Sequence, residues 1–218
     1  MKYPINISWK TEIVPLLVIA ASFVFGFYFY QNFPEKVITH WDFAGNPNGY
    51  SGKFFGAFGL PIMFLGFYGL FLALPLIDPK KQRYREFQKV YHIFKSVLLL
   101  VLFAIFLLAS FANLGYPIAI NQVTPILVGV LMIVMGNFMG KIKNNWFMGI
   151  RTPWTLSSEN VWNKTHRLGG WLFVIYGILI MLTPFFNYAA GLSILLGGAL
   201  LIVVVTLVYS YILYKKEH

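Results

Sequence analysis

An all-α integral membrane protein with six transmembrane helices is the fold class that this sequence predicts, and three observations predict it. Of 218 residues, 58% are hydrophobic and only 11% are charged, against about a quarter charged in an ordinary soluble domain; the mean hydropathy is +0.69. Six runs, 13–30, 54–77, 96–120, 123–140, 168–186 and 189–214, contain no Asp, Glu, Lys, Arg or His. Each is long enough to approach or cross a hydrocarbon core about 30 Å thick, which takes about 20 helical residues. The third observation is the placement of charge: if the N-terminus is cytoplasmic, fifteen of the 17 basic residues fall on inside segments and only Lys36 and Lys53 outside. That bias follows the positive-inside rule and predicts both termini inside. It also accounts for the net charge of +10 through the anionic inner leaflet, so the charge does not imply direct nucleic-acid binding.

Six spans leave no length for a separate soluble domain, so residues 1–218 read as a single polytopic membrane domain. The first run is kept as a helix rather than a signal peptide, since it is long, ends in "FVFGFYFY" and lacks a convincing small-x-small cleavage site. Next comes an extracellular loop, 32–53, whose Gly45, Asn46, Pro47, Asn48 and Gly49 force a reversal. Upstream, Val37, Thr39, Trp41 and Phe43 alternate with Ile38, His40 and Asp42, predicting a small hairpin-like cap, with an irregular connector as the blander alternative. The second connector, "DPKKQRYREFQKVYH", reads as an orientation signal and an anchor to anionic headgroups. The third and fifth connectors are short and uncharged.

The fourth connector, 141–167, is the unusual one. It includes "WFMGIRTPWTLSSENVWNKTHR", where "GIRTP" breaks helix with Gly149 and Pro153, and where Ser157 and Ser158 offer N-cap hydroxyls ahead of Glu159. A short cytoplasmic interfacial helix is predicted from about Glu159 to Leu168. Asn160, Asn163, Lys164 and Arg167 would form its polar stripe, with Val161, Thr165, Leu168 and Trp162 opposite, before Gly169 and Gly170 turn the chain into the fifth span.

Catalytic chemistry finds little support. There is no cysteine, and His40, His92, His166 and His218 show no metal-ligand spacing, so neither metal nor cofactor is expected. "HWD" at 40–42 places His40 and Asp42 on one strand face by alternation, which more often fixes a loop than makes an acid–base pair. The seven acidic residues all fall at or beyond the ends of the uncharged runs, leaving no mid-membrane carboxylate of the kind that ion-coupled transporters use. Arg151, flanked by Ile150 and Pro153 with tryptophans on both sides, could pair with a lipid phosphate, with Glu159 or with a partner's carboxylate, or act only as an interfacial anchor.

Two stretches carry a resemblance. "NNWFMGIRTPWTLSSENVWNKTHRLGGWLFVIYG", after "GNFMGKI", resembles the signature of the SdpI family of bacterial immunity proteins, and "PEKVITHWDFAGNPNGYSGK" resembles the short extracytoplasmic module that accompanies it. The motif match falls on Asn145, Gly149, Arg151, Thr152, Pro153, Trp154, Thr155, Trp162, Thr165, His166 and Gly169. Outside it falls on His40, Gly45, Gly49 and Lys53, in the loop that also holds Trp41 and Asp42; Asn48 stands where the resemblance leads one to expect an acidic residue.

The resemblance implies a non-enzymatic plasma-membrane protein of a bacterium that protects its host from a secreted peptide toxin. It also implies a receptor role, in which a small winged-helix autorepressor is sequestered at the cytoplasmic face, with membrane lipids as the remaining partner. Two other classes compete: a transporter or exporter of a hydrophobic peptide, and a lipid-modifying enzyme using His166 and Arg151.

Overall fold

A computed structural model of the chain describes residues 3–217; Lys2 and His218 lie outside the described residues. Among the described residues, six helices are long and apolar enough to cross a membrane. In chain order the elements are α1 (Trp9–Asn32), β1 (Lys36–Trp41), β2 (Pro47–Gly52), α2 (Lys53–Ile77), α3 (Tyr84–Asn113), α4 (Ile120–Met139), α5 (Pro153–Ser157), α6 (Glu159–Leu182) and α7 (Tyr188–Glu217). The spanning helices bury between 17% and 33% of their most apolar windows. Side chains such as Leu17, Val24, Phe27, Leu200 and Val203 stand exposed, which fits helices whose outer faces are solvated by lipid.

The uncharged runs mark the middles of these helices rather than their ends. Backbone hydrogen bonding carries a helix on into charged sequence wherever neighbours cover it. Thus α3 begins at Tyr84, far ahead of the run 96–120, and ends at Asn113; the residues 114–119 are connector. The interfacial helix expected over 159–168 is instead the first part of α6, and the turn expected at Gly169 and Gly170 does not occur. The reason is that these glycines do not need to bend the chain; they let another helix approach it.

Helices α1, α2 and α3 pack on one another, α4 packs along α6, α6 packs on α7, and α3 meets α4 at the seam between these two groups. The α4–α6 contact is the most extensive. A Cβ on Gly136 would lie 2.6 Å from the Gly170 carbonyl oxygen, and one on Gly129 would lie 2.5 Å from that of Gly177. Both pairs are spaced by seven residues and run antiparallel, so backbone touches backbone at two levels.

The hairpin lies at one end of the bundle. β1 and β2 pair antiparallel with Ile38 opposite Tyr50 and His40 opposite Gly49, the register shifting between them. The loop was expected to cap the bundle, and Asn113 shows how: its side chain accepts from the Ile38 amide at 2.7 Å and donates to the Ile38 carbonyl at 2.9 Å, closing the free edge of β1. Val37 is buried against Gly56 of α2. Beneath, Phe29 stacks on Phe33 at 5.3 Å and meets Phe106 and Phe111 edge-on.

The acidic residue at the start of the first span has partners on other helices. Glu12 lies in the first turn of α1 and is buried, with its carboxylate 2.6 Å from the fully buried Lys95 of α3, 3.0 Å from the Tyr68 hydroxyl and 3.7 Å from His92 Nδ1. A charge at each edge of an uncharged run thus meets the other inside the bundle, which no reading along the chain reveals.

Two predictions follow from this packing. Gly136→Ala should destabilise the protein by about 1–3 kcal/mol through overpacking, whereas Gly66→Ala, which meets nothing within 4 Å, should be neutral or mildly stabilising; thermal unfolding in detergent micelles measures both. Lys95→Met, which strands the Glu12 charge, should cost about 3–5 kcal/mol, and Glu12→Gln with Lys95→Met should restore most of it.

Candidate functional site

The fourth connector and the start of α6 fold into a knot at the end of the bundle opposite the hairpin, and the chain dictates most of it locally. Asn145, with no exposed surface, uses both ends of its side chain: Nδ2 donates to the Lys143 and Met148 carbonyls, and Oδ1 accepts from the Phe147 and Met148 amides at 2.9 and 2.7 Å. One amide thereby shapes the turn 143–148. Gly149 then adopts φ 101°, a region that L side chains avoid. A Cβ there would sit 2.2 Å from His166 Nε2.

His166 explains that contact. It is fully buried in α6, Nε2 accepts the Ile150 amide at 2.9 Å, and Nδ1 donates to the Trp162 carbonyl at 2.9 Å. An amide can only donate and a carbonyl can only accept, so the ring is neutral with its proton on Nδ1. Trp162 stacks on it at 4.0 Å between centroids, and donates its indole N–H to the Ile142 carbonyl at 2.8 Å. Gly149 and His166 therefore form a single joint between the connector and the helix.

The next turn is a capping box. Thr152 Oγ1 accepts the Thr155 amide at 3.1 Å, the Thr155 hydroxyl accepts the Thr152 amide at 2.8 Å, and α5 starts with Pro153 at its first position. Thr152 also donates to Ser210 of α7 at 3.0 Å, and Trp154 packs on Tyr211 at 5.0 Å. Ser158 caps α6 by accepting the Val161 amide at 3.2 Å, whereas Ser157 donates to the Pro153 carbonyl. Of the anticipated faces, Asn160, Asn163, Lys164 and Arg167 are exposed, and Val161, Trp162 and Thr165 are buried. Gly169 is buried against Ile150 and Met139.

Residues far away in sequence complete the knot. Asp78, buried just beyond α2, accepts from the Trp146 amide and the Tyr84 hydroxyl, both at 3.0 Å. Asn144 donates to the Thr155 carbonyl at 3.0 Å and accepts from Lys80. Arg83 holds Glu159 through two hydrogen bonds of 2.9 and 2.7 Å, so Glu159 is not the partner of Arg151. Arg151 instead donates to the Trp146 carbonyl at 2.7 Å and stays exposed. Asp78, Asn144, Arg83 and Ser210 escaped the reading along the chain; the lone "DP" after the second span was the one available signal.

In the hairpin, His40 bonds Asn48, and a Cβ on Gly49 would lie 2.7 Å from His40 Cβ. Asp42 closes the turn separately, accepting from Asn46 N at 2.8 Å and Ala44 N at 2.9 Å, with Gly45 at φ 88°. The Asn46 amide, aided by Ala44, holds the Asp42 carboxyl below the usual carboxylate range. His40 and Asp42 thus serve two different bonds rather than one dyad. Lys53 starts α2, its ammonium 5.6 Å from the Tyr30 ring centre. Beside His40, Trp41 and Asp42 opens a cleft of about 580 Å³, floored by Leu60, Ala109, Pro125 and Leu195 from both groups of helices. The hairpin tip spans it, with the Ala44 carbonyl accepting from Asn121 at 3.3 Å and Phe43 edge-on to Tyr188.

Comparisons with known proteins divide the chain along the same two ends. Residues 141–210 match the family described as the SdpI/YfhL protein family, and residues 17–65 match a domain of unknown function, DUF1648. Immunity protein SdpI of Bacillus subtilis (strain 168) is 29% identical over 208 residues, covering 95% of this chain and 97% of that protein. No solved structure matches. With the matched family signature lying on the buried knot and a relative aligned over nearly its whole length, the chain is a multi-pass bacterial membrane protein similar to the SdpI/YfhL family over residues 141–210.

Proposed function

We propose that this protein is a non-enzymatic immunity protein of the bacterial plasma membrane, protecting its own cell against a secreted antibacterial peptide. The observation that carries the reading is the near full-length similarity to a protein named for immunity. The hairpin faces outward and the knot inward, which the fifteen of 17 basic residues lying with the knot and the termini support. On that orientation the 580 Å³ cleft beneath the hairpin opens toward an arriving peptide. It has an apolar floor and a polar rim of His40, Asp42, Asn48 and Asn121, the make-up of a site for an amphipathic ligand. The knot leaves Trp146 and Arg151 exposed on the inner face, a surface for the small winged-helix repressor of a coupled signalling role.

Expression in a toxin-sensitive bacterium tests the reading: cells carrying the protein in their membrane should survive, and equal killing with and without it overturns the proposal. Thr124→Trp, which fills the cleft, should abolish survival at unchanged membrane abundance. The two classes of motif residue should also separate. His166→Ala and Gly149→Ala should lower the amount of folded protein, since both break one joint, whereas Arg151→Ala should leave abundance intact and remove only repressor recruitment at the membrane, seen by fractionation.

A further inference from the structure

We infer that a cleft between the start of α3 and the end of α4 binds the headgroup of an anionic phospholipid. The cleft encloses about 660 Å³ and lies at the knot end of the bundle, where α3 meets α4. Four cations line it: Arg85 and Lys89 from α3, and Lys141 and Lys143 from the residues just past α4. Glu86 is the one acid in the lining, and it lies 3.5 Å from Arg83. Among the described residues, none of the four cations has a carboxylate within 4.0 Å.

Like charges gathered this way repel one another and lower the energy of any anion placed among them. Screening by salt weakens that field but does not balance it. The fold itself makes the cleft: α3 departs from helical geometry at Phe87, with φ −126° and ψ 20°, and Phe87 is buried there between the turns that carry Arg85 and Lys89.

The walls select the kind of anion. Ile93 and Phe138 continue the lining from the cations into apolar surface, and the Lys141 ammonium lies 5.0 Å over the Phe138 ring. A diester phosphate with acyl chains satisfies both parts, whereas free phosphate would leave the apolar wall unused and an acidic peptide would have to lie against lipid-facing side chains. Basic clefts between spanning helices at the cytoplasmic end are sites of this chemistry. Because α3 and α4 belong to the two different helix groups, a headgroup held by cations from both would bridge their seam.

The test uses the full chain purified in a zwitterionic detergent, titrated separately with phosphatidylglycerol, phosphatidylcholine, inorganic phosphate and a polyglutamate peptide. Native mass spectrometry and the thermal unfolding midpoint are the readouts. Phosphatidylglycerol should bind and raise the midpoint in a salt-sensitive way, while the other three should not. Arg85→Gln, Lys89→Gln, Lys141→Gln and Lys143→Gln combined should weaken binding by about several hundredfold, at about fivefold for each cation near the surface. Removing Lys36, Lys53, Lys215 and Lys216 in the same way should change it less than about twofold, with circular dichroism showing both variants folded. Equal binding of phosphatidylcholine, saturation by phosphate alone, displacement of the lipid by polyglutamate, or equal losses in the two quadruple variants would each overturn the proposal.

Discussion

Helices α4 and α6 touch backbone to backbone, and that contact sets where α6 lies and what is built on it. With Gly136 against Gly170 and Gly129 against Gly177, backbone meets backbone while Val174, Met181 and Ile133 pack around the glycines, so an added side chain would force the two helices apart. In lipid, where burial of apolar surface gives helices no preference for one another, such close packing is what holds them. It fixes α6, and α6 carries Trp162, Thr165 and His166 at its start and meets α7 along its length. The knot is therefore built on the stiff end of a doubly clamped helix.

From that support the family signature takes on a particular physical meaning. Asn145, Thr155, His166 and the buried Trp162 spend their hydrogen-bonding groups largely on the chain's own backbone, as when His166 joins Ile150 to Trp162, whereas the buried Thr165 hydroxyl has no hydrogen-bond partner among the described residues. Few donors are left over for a ligand. What the motif presents to the outside is a small remainder, chiefly Arg151 and Trp146, held by the 2.7 Å hydrogen bond between them. A segment can thus be both a framework and a presenting surface, with different residues in each part.

At the far end the logic is reversed. The hairpin is fastened by few contacts, principally Asn113 on Ile38, Val37 against Gly56, and the tip against Asn121 and Tyr188. Between those fastenings the two helix groups part and leave the cleft. Deep in the opposite half of the bundle, the Glu12–Lys95 pair, with Tyr68 and His92 around it, satisfies two charges that neither helix could bury alone.

Composition and local pattern were enough to reveal the solvent and the scaffold. Long uncharged runs must be helices in a membrane, because lipid offers no partner for a free amide, and the glycine–asparagine–proline cluster after Phe43 must reverse the chain. The amphipathic faces of residues 160–167 were legible for the same local reason, periodicity. Tertiary structure decided what periodicity cannot encode. Gly169 and Gly170 read as a turn but serve as a crossing, since a glycine's lack of a side chain matters only once a neighbouring helix is known. Glu12 and Lys95 read as two boundary charges yet form one buried pair, and Glu159 pairs with Arg83 rather than Arg151, because attraction acts through space and not along the chain. Asp78 and Ser210 joined the knot on the same ground: their roles depend on which helix ends the packing brings together.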